Sequence, residues 1–233
     1  MIIAIDGPSG AGKSTLGKRL AATFELTYLD TGAMYRAVGL AALRVGLDEN
    51  DRDAIETVSE GLRIELPGTG ADLRVLLNGE DVTERIRSKD VSHMASVVST
   101  IPGVRTLLVK RQRQIGRSAG NGAVLDGRDI GSVVFPDADY KFYLTAGTEN
   151  RARRRYLEDK DRGRDTSYEQ TLNEIIERDE RDATREFSPL VKAEDAIEID
   201  TSDLNVDEVF EKMARIIRDS AKGSAGLENN AVK

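Results

Sequence analysis

The chain has 233 residues, 39% of them apolar and 32% charged, with no Trp; this is the balance of a soluble globular protein with one large domain or two small ones. The absence of cysteine excludes disulfides, thiolate metal sites and cysteine nucleophiles, and the lone His93 excludes a multi-histidine metal centre. A net charge of −7 argues against bulk binding to nucleic acid or anionic lipid, and no apolar run approaches the length that spans a bilayer.

Residues 1–6 read as a short buried strand, followed by a glycine-rich loop and a helix over 13–24 with Leu16, Leu20 and Phe24 four apart. Residues 27–29 predict a second strand and 33–45 a helix ended by Gly46. Residues 62–66 and 73–77, separated by Pro67-Gly68-Thr69-Gly70 and followed by Asn78-Gly79, read as an insertion of short antiparallel strands with tight turns. Helices follow at 88–100 and 104–117, strands at 123–125 and 140–144, helices at 149–161 and 168–184, a strand at 196–199 and a helix at 206–217. Strands alternating with helices imply a parallel α/β sheet with crossovers. The tail from Lys222 has no apolar period and is expected to be disordered. The opening Met1-Ile2-Ile3-Ala4-Ile5 is too short for a signal peptide's apolar core and lacks its basic start, so the expected address is the cytoplasm.

The charges are unevenly spread. Residues 105–185 hold 17 of the 34 Lys and Arg, 14 of them Arg, against 15 acids, so this stretch is +2 and the rest −9. Arg suits bidentate binding of phosphate, although helices laced with surface ion pairs produce the same excess.

Gly7-Pro8-Ser9-Gly10-Ala11-Gly12-Lys13-Ser14, with Thr15 after it, fits G-x-x-x-x-G-K-[ST] between a strand and a helix. Glycines let successive backbone N–H groups turn inward around an anion, and the helix N-terminus adds its positive dipole end. Lys13 then serves the β- and γ-phosphates, and the Ser14 hydroxyl stands where Mg²⁺ is ligated. A second motif must select among the many users of such a loop. The guanine-reading Asn-Lys-x-Asp and the transporter Leu-Ser-Gly-Gly-Gln are both missing; the second and third strands lead instead into Leu29-Asp30-Thr31-Gly32-Ala33-Met34-Tyr35-Arg36 and Asp126-Gly127-Arg128-Asp129-Ile130-Gly131. In open parallel sheets ligands bind beyond the carboxyl ends of the strands, so both face the phosphate loop.

These segments, with Arg178-Asp179-Glu180-Arg181-Asp182 after them, resemble in order those of bacterial cytidylate kinases, and the resemblance runs from Ile2 to about Ile217. It implies an α/β fold: a P-loop kinase core with a five-stranded parallel sheet flanked by helices, an inserted NMP-binding subdomain with a small antiparallel sheet, and a short helical lid. The division it implies is a single domain over 1–221, with core about 1–30, 105–149 and 166–221, NMP-binding subdomain about 31–104 and lid about 150–165. The activity it implies is transfer of the ATP γ-phosphoryl group, with Mg²⁺, to CMP or dCMP. Carried over residue by residue, Arg36, Arg128 and Arg185 hold the CMP phosphate; Thr31, Arg178 and Asp182 contact the ribose or its neighbourhood; Ser96, Arg105 and Asp129 read cytosine; Arg154 and Arg181 reach the transferring phosphates as the lid closes. Thr31 stands where the family often has Ser, and both carry a hydroxyl.

The residues themselves support part of this. Arg178, Arg181, Asp182 and Arg185 fall on one helix stripe that is charged where a core stripe is apolar, and Arg151, Arg154 and Arg155 form a second. A solvated face with i,i+4 ion pairs is the competing reading of both stripes, and of Arg153, Arg162 and Arg164 beside them. Asp126 either holds Mg²⁺ through water or simply ends a strand and caps the next turn; Asp6 reads as a strand-end carboxylate bonding loop N–H groups, and His93 as a helix-surface residue. The competing functions are a kinase of UMP, AMP or a small hydroxyl compound such as shikimate, and a nucleotide-dependent binding switch that does not turn over. Nothing resembles an interface motif, so a monomer is expected.

Overall fold

A computed structural model describes residues 1–68 and 72–228, the side chains of 221–228 excepted. The chain begins with β1 (Ile2–Asp6), α1 (Lys13–Thr23), β2 (Thr27–Asp30) and α2 (Thr31–Arg44). The next helix, α3 (Arg52–Glu60), has no counterpart among the predicted elements; Ile55 and Val58 are its only large apolar residues, too few for a helical period to stand out. The insertion forms β3 (Ile64–Glu65), β4 (Leu76–Leu77) and β5 (Glu80–Asp81), an antiparallel sheet in that order. Leu77 pairs with Glu80 across Asn78-Gly79, whose φ of 53° and 88° are the left-handed values that a two-residue hairpin turn demands. Thr69 and Gly70 of the other predicted turn lie outside the described residues.

The second half runs through α4 (Lys89–Val98), α5 (Pro102–Ser118), β6 (Ala123–Gly127), a single π-helical turn at Ile130–Val134, β7 (Tyr140–Thr145), α6 (Thr148–Asp161), α7 (Tyr168–Thr184), β8 (Ile197–Asp200) and α8 (Val206–Glu228). The last helix passes the end of its apolar stripe at Ile217 and covers 222–228 of the segment expected to be disordered; 229–233 lie outside the described residues. The helix is nucleated by its packed stripe up to Ile217, and with no Pro to stop it runs on through Gly223 and Gly226.

The large sheet is wholly parallel, in the order β2-β6-β1-β7-β8. Its central strands are buried on both faces, which is why they read as unbroken apolar runs. Side chains alternate between two cores. Ile3, Ile5 and Val124 pack with Leu16 and Leu20 of α1 and with Phe210 and Met213 of α8; Ala4, Ala123 and Leu125 pack with Met34 of α2, Val91 of α4 and Leu108 of α5. The second core continues under the small sheet through Leu62, Val75 and Leu77, so the insertion is anchored to the main domain by apolar burial. Among the described residues no helix is long and apolar enough to cross a membrane.

Where β1 lies beside β6, Ile5 stands opposite Asp126 and Asp6 opposite Gly127. The glycine loop after β1 and the Arg128-Asp129 turn after β6 therefore leave the sheet side by side at its carboxyl edge. A third wall comes from α4, which packs against α2 at Gly39, where a Cβ would lie 3.0 Å from the Ala95 backbone nitrogen. Backbone atoms inside a helix cannot yield as the end of a side chain can. Gly39→Val is therefore expected to destabilise the protein by about 2–3 kcal/mol, read as a lower urea midpoint at an unchanged m-value.

Candidate active site

The three walls enclose a cleft of about 710 Å³, a volume suited to small molecules. Its lining carries more Lys and Arg than Asp and Glu, in a chain whose net charge is negative. The glycine loop forms the floor. Gly7 (φ 142°) passes so close to β7 that a Cβ would lie 2.0 Å from the Leu144 carbonyl oxygen, and Gly12 (φ 89°) turns the chain into the N-terminus of α1. Lys13 is 7% exposed and its Nζ donates to the Pro8 carbonyl at 2.6 Å. Burial, reinforced by the Arg128 charge, holds its ammonium well below the ordinary lysine range.

Behind the loop, Asp126 is 4% exposed and knots three elements together. Its carboxylate accepts from Ser14 Oγ at 2.7 Å and from the Tyr28 hydroxyl at 2.9 Å, while its carbonyl accepts from Thr31 Oγ1 at 2.7 Å. A hydroxyl and a carboxylate are the hard oxygen donors that Mg²⁺ prefers. Among the described residues no three acidic or imidazole side chains gather to cage a metal, so this pair fits a cation that brings most of its ligands as phosphate and water.

The acceptor side is a lattice of guanidiniums and carboxylates. Arg36 donates to Asp30 Oδ2 at 2.8 Å, and the other Asp30 oxygen caps α2 at the Ala33 N–H. Arg128 Nε donates to Asp182 Oδ2 at 2.7 Å, with Arg178 and Arg185 each 3.9 Å from the same carboxylate. Arg105, buried, donates to Asp129 and to the Ser99 carbonyl, and Arg185 stands 3.9 Å from Asp129. Arg181 Nη1 crosses the cleft to Ser96 Oγ at 2.8 Å. Enclosure and the neighbouring Arg128 push Arg178 down to about 10. Arg36 Nε, Arg178 Nε and Arg185 Nη2 are buried and find no hydrogen-bond partner among the described residues. A buried N–H left without an acceptor is costly, and three of them lie around this one cleft.

The roof is the α6–α7 hairpin, in which Ser167 and Gln170 form a capping box and Gly163 (φ 69°) makes the turn. Arg164 donates to buried Asp159 and to the Arg87 carbonyl (2.6 and 2.8 Å), and Lys89 reaches Thr166 and Glu174 (3.0 and 3.2 Å). The tip of the hairpin thus rests on the segment before α4.

A sequence model of the cytidylate kinase family matches residues 3–219. The cytidylate kinase of Caldanaerobacter subterraneus subsp. tengcongensis is 52% identical over 95% of this chain and 96% of its own length, and that of Bacillus velezensis 48% over 94% and 97%. The chain belongs to the cytidylate kinase family. It is accordingly an enzyme and a kinase. A solved shikimate kinase from Bacteroides thetaiotaomicron aligns over 95% of this chain and 98% of its own with a TM-score of 0.48 and 13% identity, too slight a likeness to bear on the acceptor.

Most of the residues carried over from the family line the cleft: the glycine loop from Ser9 to Thr15 save Ala11, and Thr31, Arg36, Ser96, Arg105, Asp126, Arg128, Asp129, Arg178, Arg181, Asp182 and Arg185. Gly7, Pro8 and Ala11 do not line it but belong to the same loop. Arg154 is different: it is not brought to the cleft but donates to the hydroxyl and carbonyl of Thr201 beyond β8. Arg155 and Arg162 line the cleft instead, while Arg153 is exposed. Arg151, buried, binds Asp179 and the carbonyls of Ser9 and Ala146, so it braces the loop rather than facing substrate. His93 is exposed at the cleft rim, 3.5 Å from Glu49. Sequence reasoning missed Arg87, in a single helical turn (Arg85–Arg87) too short to show a period, and Lys89, the first residue of α4, whose place at the cleft no motif signalled. It also missed the Tyr28 hydroxyl on Asp126, for which only the proximity of Tyr28 to the second motif was a signal.

Burial pushes the Asp126 carboxyl up to about 6, and the Asp30 charge adds to it against the bonds from Ser14 and Tyr28 and the charge of Lys13. In the unfolded chain the same group titrates near 4, taking about 3.9 as the ordinary value. Between those limits the folded state holds the extra proton, so this group makes stability fall as pH rises from about 4 to about 6, and above that its cost is complete. Asp126→Asn escapes the cost. Its unfolding free energy relative to wild type should therefore improve by up to about 3 kcal/mol between pH 4 and pH 7 in urea titrations; a difference that does not change with pH contradicts the assignment.

Proposed function

We propose that the protein transfers the γ-phosphoryl group of ATP to the phosphate of CMP or dCMP, giving ADP and CDP or dCDP. The observation that carries this reading beyond family membership is the trio of unpartnered N–H groups on Arg36, Arg178 and Arg185, opposite a phosphate loop in the same cleft. Joining two polyanions requires cations on both sides of the transferred group, and guanidinium forks supply charge and alignment together.

In this reading the loop N–H groups and Lys13 hold the ATP phosphates. Arriving polyphosphate draws Lys13 Nζ from the Pro8 carbonyl, and its negative charge favours the ammonium form that burial disfavours. Ser14 and Asp126 are the residues that would hold Mg²⁺, which when bound with ATP neutralises charge on the β- and γ-oxygens. Arg36, Arg128 and Arg185 take the acceptor phosphate, and Asp182, now shared among Arg128, Arg178 and Arg185, keeps those forks in place until it arrives. Arg178 and Asp182 lie beside the ribose, and Arg181 follows the hairpin toward the transferring group. No side chain has to remove a proton, because the acceptor phosphate, with a second pKa of about 6, is already ionised.

Base choice falls to Arg105, Asp129 and Ser96. A carboxylate accepts from the cytosine amino group and a guanidinium donates to N3 and O2, whereas uracil presents the reverse edge at both places. A coupled ADP-release assay over CMP, dCMP, UMP, AMP and shikimate tests the whole proposal, with turnover on CMP and dCMP expected. Absence of turnover on CMP would overturn it. Lys13→Ala and Arg185→Ala should each lose most of kcat while keeping the wild-type circular dichroism, since both meet phosphate; a variant with near-normal kcat removes its residue from that role. UMP should trail CMP in kcat/KM by about two orders of magnitude. Asp129→Asn should narrow the gap, mostly by damaging CMP, and an unchanged ratio would mean that the base is read elsewhere.

A further inference from the structure

Asp6 is a buried carboxylate that the phosphoryl transfer does not use. It ends β1, 6% exposed, and both its oxygens are engaged: Oδ1 accepts the Ile130 N–H at 2.8 Å and Oδ2 the Gly131 N–H at 2.7 Å. These two N–H groups open the π-helical turn and come directly after Arg128 and Asp129. A carboxylate at that place satisfies two orphan donors at once and takes the positive end of the turn. The anchor is firm, because the next residue is Gly7, wedged against the Leu144 carbonyl where even a Cβ has no room. One strand end therefore begins the donor's phosphate loop and grips the turn that presents Arg128 and Asp129.

We propose that Asp6 is a positioning residue that sets the acceptor-reading pair Arg128 and Asp129 in register with the donor loop. The inference rests on the acceptor role proposed for that pair. Asp129 sits at the start of the turn with φ −149° and ψ 27°, a conformation no regular helix imposes, and its partners Arg105 and Arg185 come from other elements. Of the contacts on this turn, the two bonds to Asp6 are the ones that tie its backbone to the phosphate-loop strand. In-line transfer tolerates little displacement, and a shift of about 1 Å costs on the order of a hundredfold in rate.

The test is Asp6→Asn, which keeps the shape but sets an amide N–H₂ against one of the two donors, with Asp6→Ser as a smaller second variant that keeps one acceptor. Expected in either is a rise of about tenfold or more in KM for CMP, a fall in the preference for CMP over UMP, and a KM for ATP within about twofold of wild type. A merely structural loss would move both KM values together, and that result, or an unchanged KM for CMP, overturns the proposal. So does failure of both variants to fold, which would make Asp6 a stability residue. Amide hydrogen exchange supplies a readout independent of the substrate: residues 128–134 should exchange faster in the variants while 7–14 do not. If wild type fails to phosphorylate CMP, the acceptor reading falls, and the exchange pattern alone then decides whether Asp6 holds the turn.

Discussion

The pairing of β1 with β6 is the constraint from which the site follows. Both strands are parallel and central, and each gives way to a functional turn at the same edge, so one register brings together a phosphate loop and an arginine-aspartate turn from positions more than a hundred residues apart. A one-residue slip of β1 would turn Ile3 and Ile5 from the α1/α8 core into the opposite one and leave Ala4 in their place, and close packing on both faces forbids the exchange. Hydrophobic packing thus fixes the register of the strands, and with it the edge at which the loop and the turn emerge.

The arginines show how a protein gathers like charges without unfolding itself. Arg36, Arg105 and Arg128 each have a carboxylate partner in hydrogen-bond contact, and Arg178 and Arg185 stand near one. Buried unpaired charge is strongly destabilising, and these carboxylates remove most of that cost while leaving some guanidinium N–H groups free. The same acids keep the cleft from becoming so positive that its own repulsion would open it.

What the sequence made legible was set by periodicity and by local spelling. The central strands β1 and β6 could be read because continuous apolar runs are what two-sided burial requires, and the hairpin because Asn78-Gly79 adopts the two positive φ values. α3 could not, since two apolar residues make no stripe. Arg154 shows a subtler limit. It shares a helix stripe with Arg151 and Arg155, but neighbours on a helix point about 100° apart; that angle sends Arg155 to the cleft and Arg154 to Thr201. Which way a mixed stripe faces depends on what lies over it, and that is a tertiary fact. Arg87 and Lys89 carried no pattern at all, and only the folded chain shows them beneath the hairpin tip.

The contacts under that tip set how firmly it is held. Arg164 with the Arg87 carbonyl and Lys89 with Thr166 and Glu174 are bonds between polar partners, part-buried or exposed. Such contacts are worth about 0–1 kcal/mol each, so the three together hold the tip by no more than about 3 kcal/mol. The tip of the hairpin is therefore held lightly, whereas its base, through Arg151 on the Ser9 carbonyl and Asp182 on Arg128, is tied to the floor of the cleft. Lifting that tip breaks these bonds and the one from Arg181 to Ser96, but leaves intact the two apolar cores on which β1 and β6 hold the loop and the turn side by side.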